Sequence, residues 1–283
     1  VHDQGCGTLV SMAQIVAEVL EIQPELITVL EADTQTSPYD MGTFSSRVTY
    51  VSGMCALRVA EKLKAMILEQ AASIFGKAST YLRCSEGKVW AMGSDKPPLT
   101  FSEIAVIAQV KHQFDLFAVE TYRNISNPGA YGVHFAEVEV DTLTGMVKVI
   151  DYLAVHDVGR ALNRGMVVGQ IQGGVQMGIG YALTEELKFN KKGRPLSNSF
   201  MNYTIINASD MPEVKVLILE YGGDDGPYGA KSVGEIAVVS VAAAVVNAVN
   251  DALGTQMRQL PLTPERIVAA IEDKMKLETS RKG

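Results

Sequence analysis

Four segments of this sequence combine a glycine-rich backbone with residues that could contact an anionic ligand or move a proton. Two lie near the amino terminus: Gly5–Thr8 and Gly42–Arg47, each directly before an apolar pattern of helical spacing. The others are the stretch 164–183, with six glycines and three glutamines, and Gly229–Glu235. Backbone N–H groups at a helix start bind phosphate groups, and a carboxylate beside an apolar helix can act as a general base.

Each of these segments also has a purely structural interpretation. Gly5–Thr8 is typical of a loop that enters a helix, and Ser45 or Ser46 could serve as an N-cap. The glycines of 164–183 either admit a bulky ligand or allow another backbone to pack closely. Burial would disfavour the charged form of Glu235, whereas a helix amino terminus favours it. The residues taken one segment at a time leave these alternatives open.

The elements that must position these segments follow from hydrophobic spacing. Apolar residues at intervals of three and four predict helices, and alternation around Thr144-Gly145 predicts a long hairpin from Val133 to Val155. The helices are predicted at Thr8–Leu20, Tyr50–Ala72, Arg164–Leu183 and Val233–Leu253. Helices packed on short, mixed or antiparallel sheets predict an α+β fold with two lobes, residues 1–125 and 126–283.

Composition excludes several classes of function. The 283 residues carry a net charge of −7 without a basic stripe, which argues against nucleic-acid and anionic-membrane partners. The apolar stretch Ile236–Val249 is short for a membrane span. Three irregularly spaced cysteines are typical of a reducing compartment, so we expect a cytoplasmic location. Four scattered histidines give no pattern for a metal held by protein side chains.

In their order along the chain, the segments resemble the C-terminal part of the molybdopterin-binding subunit of molybdenum hydroxylases, the xanthine dehydrogenase and aldehyde oxidase family. The most specific motif is Gly229–Glu235, and the resemblance spans nearly the whole chain. The other matching motifs are His2–Thr8, Tyr39–Arg47, Glu137–Gly145, His156–Gly159 and Gly169–Gly174.

The resemblance implies roles for particular residues. Glu235 matches the family's general base, and Ser45 matches a position beside the metal centre. The positions that the resemblance assigns to cofactor binding are Gly5, Cys6, Gly7, Thr8, Thr43, Ser45, Ser46, Gln170, Lys231 and Ser232. The family holds its molybdenum through a pterin dithiolene, so the resemblance implies no protein ligand to the metal.

The resemblance also implies the cofactors and partners. It indicates molybdenum-molybdopterin in the cytosine dinucleotide form, with FAD and iron–sulfur clusters on partner domains or subunits. The N-terminal half of the molybdenum subunit would lie outside this chain, either because the chain is a fragment or because the subunit is split. We therefore expect the isolated chain to be inactive and free of cofactor.

The expected activity is hydroxylation of an electron-poor carbon of an N-heterocycle, of the xanthine or purine type. Alternatives within the family are nicotinate-, aldehyde- and aromatic-CoA-type enzymes with a split subunit. The alternative outside enzymes is a non-catalytic fragment that folds without cofactor.

Overall fold

The computed structural model describes residues 1–30, 33–35, 37–124, 126, 128–223 and 225–282. The chain divides into two compact units, Val1–Pro128 with Gly222–Ser232, and Gly129–Tyr221 with Val233–Gly283. The first unit runs to Pro128 and also includes Gly222–Ser232, although this segment follows most of the second unit in sequence; the lobes 1–125 and 126–283 stay a prediction. Ile125, where the predicted boundary falls, lies outside the described residues.

The first unit packs helices against a small antiparallel sheet. The helices are α1 (Thr8–Leu20), α2 (Gly53–Phe75) and α3 (Phe101–His112), and the strands are β1 (Leu82–Ser85), β2 (Lys88–Ala91) and β3 (Leu99–Thr100), in the order β1-β2-β3. One core joins α2, the sheet and α3 through Ile67, Val89 and Ile104. A π-helical turn, Val48–Ser52, precedes α2 where the sequence predicted ordinary helix from Tyr50.

The second unit packs its helices on one face of a mixed sheet. The strands are β4 (Tyr131–Val140), β5 (Val147–Asp157) and β6 (Val214–Leu219), and the helices are α4 (Arg164–Leu183), α5 (Ile236–Val239), α6 (Val241–Leu253) and α7 (Pro264–Lys282). Strands β4 and β5 form the predicted hairpin, and β6 pairs with β5 in the parallel direction. The α+β prediction is confirmed by this arrangement.

The glycines of α4 divide into two groups with different surroundings. A Cβ atom built on Gly174 would lie 2.6 Å from the Cβ of Ala237, and one on Gly178 would overlap the side chain of Val241. In contrast, a Cβ on Gly169 or Gly173 would meet nothing within 4 Å. Close packing therefore explains the first pair, whereas the second pair leaves an open strip along the helix.

The predicted helix Val233–Leu253 was wrong in two details. It begins at Ile236, and α5 ends after one turn at Ser240, whose φ and ψ of −91° and −9° interrupt the regular helix before α6. The small residues of α4 hold both pieces at close range, and this tertiary contact could not be seen in the local apolar pattern.

The apolar stretch that includes α5 and α6 is longer than the sequence analysis assumed. Ile236–Leu253 has 18 residues and is long and apolar enough to cross a membrane by length and composition alone. One face of it forms the core of the second unit, because Ala237, Val241, Val245 and Val249 have no exposed surface. Core packing accounts for this face only, since 22% of the stretch is buried and Val239 is 73% exposed.

Two histidines meet edge to face on the core side of the second sheet, with their rings nearly perpendicular at 89°. The Nε2 atoms of His134 on β4 and His156 on β5 are 2.7 Å apart, and Nδ1 of His134 lies 2.8 Å from the Tyr152 hydroxyl. Burial and the neighbouring imidazole lower the pKa of His134 to about 4, and burial also lowers the pKa of His156. Gly132 lies opposite His156, where a Cβ would come within 2.7 Å of the imidazole.

The two glycine environments of α4 give a matched test. We expect Gly174→Ala to lower the free energy of unfolding by about 1–3 kcal/mol, because the new methyl group overlaps the α5 backbone. Gly173→Ala should instead raise it by about 0.5–1 kcal/mol, since alanine favours helix and the space is open. Urea unfolding of the two purified variants measures both changes, and equal effects would contradict the assignment of the two faces.

The histidine pair predicts an acid-sensitive core. Because both pKa values are lowered in the folded state, the unfolded chain binds more protons between about pH 6.5 and pH 4. The contribution is fully present above pH 6.5 and falls with decreasing pH, by at most about 1.4 kcal/mol per pH unit for each histidine. We expect His134→Gln to flatten the pH dependence of unfolding in this window.

The control for that experiment is His112→Gln, which removes an exposed histidine that contacts Gln70. This variant should keep the pH dependence of the parent. A parent slope retained by His134→Gln would show that the pair does not titrate on unfolding.

Candidate functional site

The loop before α1 surrounds a carboxylate of the chain itself. Oδ1 of Asp3 accepts hydrogen bonds from the backbone N–H groups of Gly5 at 2.8 Å and Gly7 at 3.2 Å, and Oδ2 accepts one from Leu9 at 3.3 Å. Gly5 and Gly7 have φ of +97° and +74°, a left-handed backbone that suits glycine. The donors that the sequence assigned to an anionic ligand are thus directed at Asp3.

Hydrogen bonding keeps this carboxylate ionised. Although burial raises the pKa of Asp3, the hydrogen bonds from the backbone of Gly5, Leu9, Gly7 and Cys6 lower it below its usual value. An ionised Asp3 at the start of α1 also interacts favourably with the helix dipole. Asp3 was missed in the sequence analysis, although an aspartate two residues before a glycine is a recognised turn signal.

Cys6 and Thr8 form a second contact in the same loop. The Sγ atom of Cys6 lies 3.1 Å from Oγ1 of Thr8, whose side chain is almost completely buried. Thr8 therefore stabilises the loop from inside, and Cys6 is the more accessible of the two candidates.

The Gly42–Arg47 loop is held next to the amino-terminal loop. The Thr43 hydroxyl donates a hydrogen bond to the carbonyl oxygen of His2 at 2.7 Å. Ser45 and Ser46 both have positive φ, 56° and 48°, a conformation that costs a residue with a Cβ about 1 kcal/mol or more. Arg47 closes the loop by donating to the Gly42 carbonyl oxygen at 3.2 Å. The loop is a shaped, partly strained turn that leaves Ser45 exposed.

Segment Gly222–Ser232 is fastened to the start of α2. The backbone N–H of Tyr50, inside the π-helical turn, donates to Oγ of Ser232 at 2.9 Å. The Tyr50 hydroxyl lies 2.8 Å from Oγ of Ser126, which donates to Oδ2 of Asp225 at 2.7 Å. A π-helical turn frequently marks a functional site. This turn begins two residues after Ser46, so its hydrogen bond holds Ser232 close to the Ser45–Ser46 loop. The Tyr50, Ser126 and Asp225 network was missed because its members are far apart in sequence.

Close packing reinforces this attachment. A Cβ built on Gly53, the first residue of α2, would come within 2.9 Å of Pro227 and 3.1 Å of Ile15. Only a glycine allows the chain before Lys231 and Ser232 to approach α2 this closely. Lys231 and Ser232 are both half-buried.

In the second unit, the candidates lie on α4 and just before α5. Gln170 is half-buried and precedes Gly173 and Gly174 by three and four residues, so it lies between the open face and the packed face of α4. Gln176 is used structurally, since its amide donates to the Ile206 carbonyl oxygen at 3.2 Å. Only part of the glutamine pattern is thus available for a ligand.

Glu235 is exposed and precedes α5, whose four residues give little helix dipole. Its carbonyl oxygen accepts the N–H of Val238 at 3.0 Å. Neither of the two opposing effects expected from the sequence, deep burial and a long helix, applies. The contact between Gly174 and Ala237 holds this short helix, and Glu235 before it, against the middle of α4.

The predicted site residues are thus distributed over both units. The candidates from Gly5 to Ser46, together with Lys231 and Ser232, lie in the first unit, whereas Gln170 and Glu235 lie in the second. The Gly229–Glu235 motif passes from one unit to the other after Ser232. Taken unit by unit, the residues fit a large polar cofactor in part. In the second unit, Gly169 and Gly173 leave an open strip on α4, whereas in the first unit Asp3 occupies the N–H donors of the loop before α1.

This combination of fold and motifs is that of a molybdopterin-binding domain. Residues 1–212 match the molybdopterin cofactor-binding domain family, and the chain belongs to that family.

Similarity to individual proteins agrees with this assignment. The chain is 32% identical to the 6-hydroxypseudooxynicotine dehydrogenase complex subunit gamma of Paenarthrobacter nicotinovorans, over 97% of this chain and 36% of that protein. It is 32% identical to the xanthine dehydrogenase molybdenum-binding subunit of Escherichia coli O157:H7, over 93% of this chain and 36% of that protein. The structure of quinoline 2-oxidoreductase from Pseudomonas putida 86 superposes with a TM-score of 0.87 at 31% identity, over 96% of this chain and 36% of that one. The chain therefore spans about a third of the length of these relatives.

The hydrogen bond from Tyr50 to Ser232 can be tested separately from the stability of the helical segment that contains Tyr50. We expect Ser232→Ala to lower the free energy of unfolding by about 1–2 kcal/mol, because the half-buried N–H of Tyr50 loses its acceptor. Ser52→Ala is the matched control, since Oγ of Ser52 is buried without a hydrogen-bond partner among the residues described. The control should be neutral or stabilising in urea unfolding, and a neutral Ser232→Ala would show that the contact does not hold the segment.

Proposed function

We propose that this chain is the cofactor-binding portion of a molybdenum hydroxylase catalytic subunit, with Glu235 as the general base. The observation that supports this most directly is the seating of α5 on Gly174. It places an exposed carboxylate at a helix start beside a helix whose Gly169 and Gly173 leave open space. Family membership supplies the class of chemistry for that arrangement.

The chain's own residues then have separable tasks. In the first unit, Thr43, Ser45 and Ser46 would contact the cofactor, with Lys231 and Ser232 on the segment fastened to α2. Asp3 organises the backbone of the loop formed by Gly5, Cys6, Gly7 and Thr8. These residues would therefore contribute the shape of the loop to cofactor binding, and fewer N–H donors. In the second unit, Gln170 and the open strip of α4 would admit the cofactor.

Proton transfer falls to Glu235. When bound, the molybdenum cofactor supplies the two-electron redox centre for oxidation of a C–H carbon with oxygen from water. An Oε atom of Glu235 accepts the proton that the attacking water-derived oxygen must lose. Because the side chain is exposed, the proton can pass on to solvent and the carboxylate is ready for the next turnover.

We propose an N-heterocycle of the xanthine or purine type as the substrate. Relatives named for such rings include the xanthine dehydrogenase subunit, the nicotine 6-hydroxylase large subunit of Paenarthrobacter nicotinovorans at 30% identity, and the quinoline enzyme. A ring nitrogen withdraws electrons from the adjacent carbon, which suits attack by a water-derived nucleophile. Nicotinate-, aldehyde- and aromatic-CoA-type chemistry are the alternatives within the family.

The proposal extends to cofactor form and partners. We propose the cytosine dinucleotide form of molybdopterin, FAD and iron–sulfur clusters on partner domains or subunits, and a cytoplasmic location. The remainder of the molybdenum subunit would complete the site, so the isolated chain should be inactive and cofactor-free. A match to about a third of each relative's length supports this division.

Glu235→Gln in the complete enzyme tests the central assignment. We expect turnover to fall at least 100-fold, because general-base catalysis contributes about 10²–10⁴-fold. Molybdenum content measured by elemental analysis should remain near normal, since the amide keeps the shape of the side chain.

The control is Glu272→Gln, which neutralises an exposed glutamate on α7 and should keep full turnover. Loss of molybdenum in Glu235→Gln would make the residue structural. Normal turnover with normal molybdenum would remove Glu235 from the mechanism.

A further inference from the structure

The second sheet has an exposed face that is apolar at one end. Along β4, Tyr131, Val133 and Phe135 point away from the helices and are 71%, 54% and 57% exposed. On β6, Leu217 is 51% exposed on the same side. These large side chains are neighbours, so the exposure is not that of scattered surface residues.

Strand register makes these residues one continuous surface. Phe135 pairs with Leu153 and Val133 with Val155 across the β4–β5 hairpin, and Val155 pairs with Leu217 on β6. We name this surface the sheet patch, formed by Tyr131, Val133, Phe135, Leu153, Val155, Leu217 and Leu219. At its far end the register places the buried Asp157 between Tyr131 and Leu219, so the uninterrupted apolar part is Val133, Phe135, Leu153, Val155 and Leu217.

The sheet patch ends abruptly at a polar border. On the same face, β4 continues with Glu137 and Glu139 in place of apolar residues. Beside them, Asp151 on β5 pairs with Lys215 on β6 at 2.5 Å. An apolar centre with a charged rim is the anatomy of a protein interface.

The alternation of residues also shows that the sheet is built for cover on both sides. A sheet with one solvated face alternates between apolar and polar residues, as β4 does from Ala136 to Val140. From Tyr131 to Phe135, both faces of the strand instead carry groups suited to burial, with Gly132 and His134 inward. Helices α4 and α6 cover the inner face, and no described element of the second unit covers the outer one.

We propose that the sheet patch is the docking surface for the rest of the molybdenum-binding subunit, the polypeptide that lies outside this sequence. The matched relatives are about three times as long as the region they share with this chain. A subunit of that length would therefore have a large polypeptide available to cover the patch. The occupant presents an apolar surface to the centre of the patch and a basic group to Glu137 and Glu139. The proposal rests on family membership and is independent of the role of Glu235.

The composition of the patch favours this permanent partner over a transient one. Its centre contains no charged side chain, and obligate interfaces resemble a divided hydrophobic core. Redox partners that exchange electrons in brief encounters use smaller contacts. The experiment must also distinguish two other possible occupants of the patch, a second copy of the chain and an iron–sulfur or flavin subunit.

Cysteine labelling of the complete molybdenum subunit tests the proposal. Val133→Cys places a thiol in the sheet patch, Leu217→Cys is a second position on the neighbouring strand, and Leu143→Cys is a control on the β4–β5 turn, where Leu143 is 89% exposed. Reaction with a maleimide is followed at each peptide by mass spectrometry, relative to the same protein unfolded in guanidinium. Molybdenum content and circular dichroism confirm that each variant is folded.

We expect the thiols at 133 and 217 to react at least tenfold more slowly than the thiol at 143 when the complete subunit is monomeric and alone. Equal rates at the three positions would overturn the proposal. Protection that appears only after iron–sulfur or flavin subunits are added would assign the patch to them. Protection that follows dimer formation in sedimentation would assign it to a second copy. Each of these results leaves the Glu235 experiment unaffected.

Discussion

The close approach of α4 to α5 and α6 is the contact on which the second unit depends. Gly174 and Gly178 lie one helical turn apart, and the side chains of Ala237 and Val241 occupy the space that their Cβ atoms would need. Glycine within a helix costs stability relative to alanine, about 1 kcal/mol per residue, and here it is offset by packing that aliphatic side chains on α4 would prevent. The same contact positions Glu235, because only one residue separates it from Ala237. Core packing and the placement of the catalytic candidate are thus one structural feature.

In the first unit, side-chain hydrogen bonds hold irregular loops that have no regular backbone pairing. Asp3 gathers the N–H groups around the start of α1, Thr43 joins the two loops, and Ser232 satisfies a backbone donor in the π-helical turn. Each contact uses a short polar side chain to satisfy a backbone N–H or carbonyl group, and the one at Tyr50 is part-buried. Ser45 and Ser46 keep their strained backbone because the surrounding contacts fix the loop, and strain of this kind is concentrated at functional sites.

The exposed sheet patch and the limited length of the match to the relatives both bear on the docking proposal. We propose that the remainder of the molybdenum-binding subunit covers the apolar end of the sheet. The length of the relatives supports this proposal, because the chain spans about a third of them. The proposed cofactor site and the proposed docking surface therefore invoke the same additional polypeptide.

The sequence by itself determined the elements with a strong local signal and the family. The bounds of α1 and α4 and the β4–β5 hairpin follow from periodicity, caps and turns, and the motif order alone indicated molybdopterin binding. Tertiary structure decided what local pattern could not encode. It divided the α4 glycines between packing and open space, ended α5 at Ser240 and directed the first-loop donors to Asp3. It also returned Gly222–Ser232 to the first unit and paired His134 with His156. The reason is physical: spacing along a chain reports which face of an element is apolar, whereas the identity of the atoms that meet it depends on contacts between residues distant in sequence.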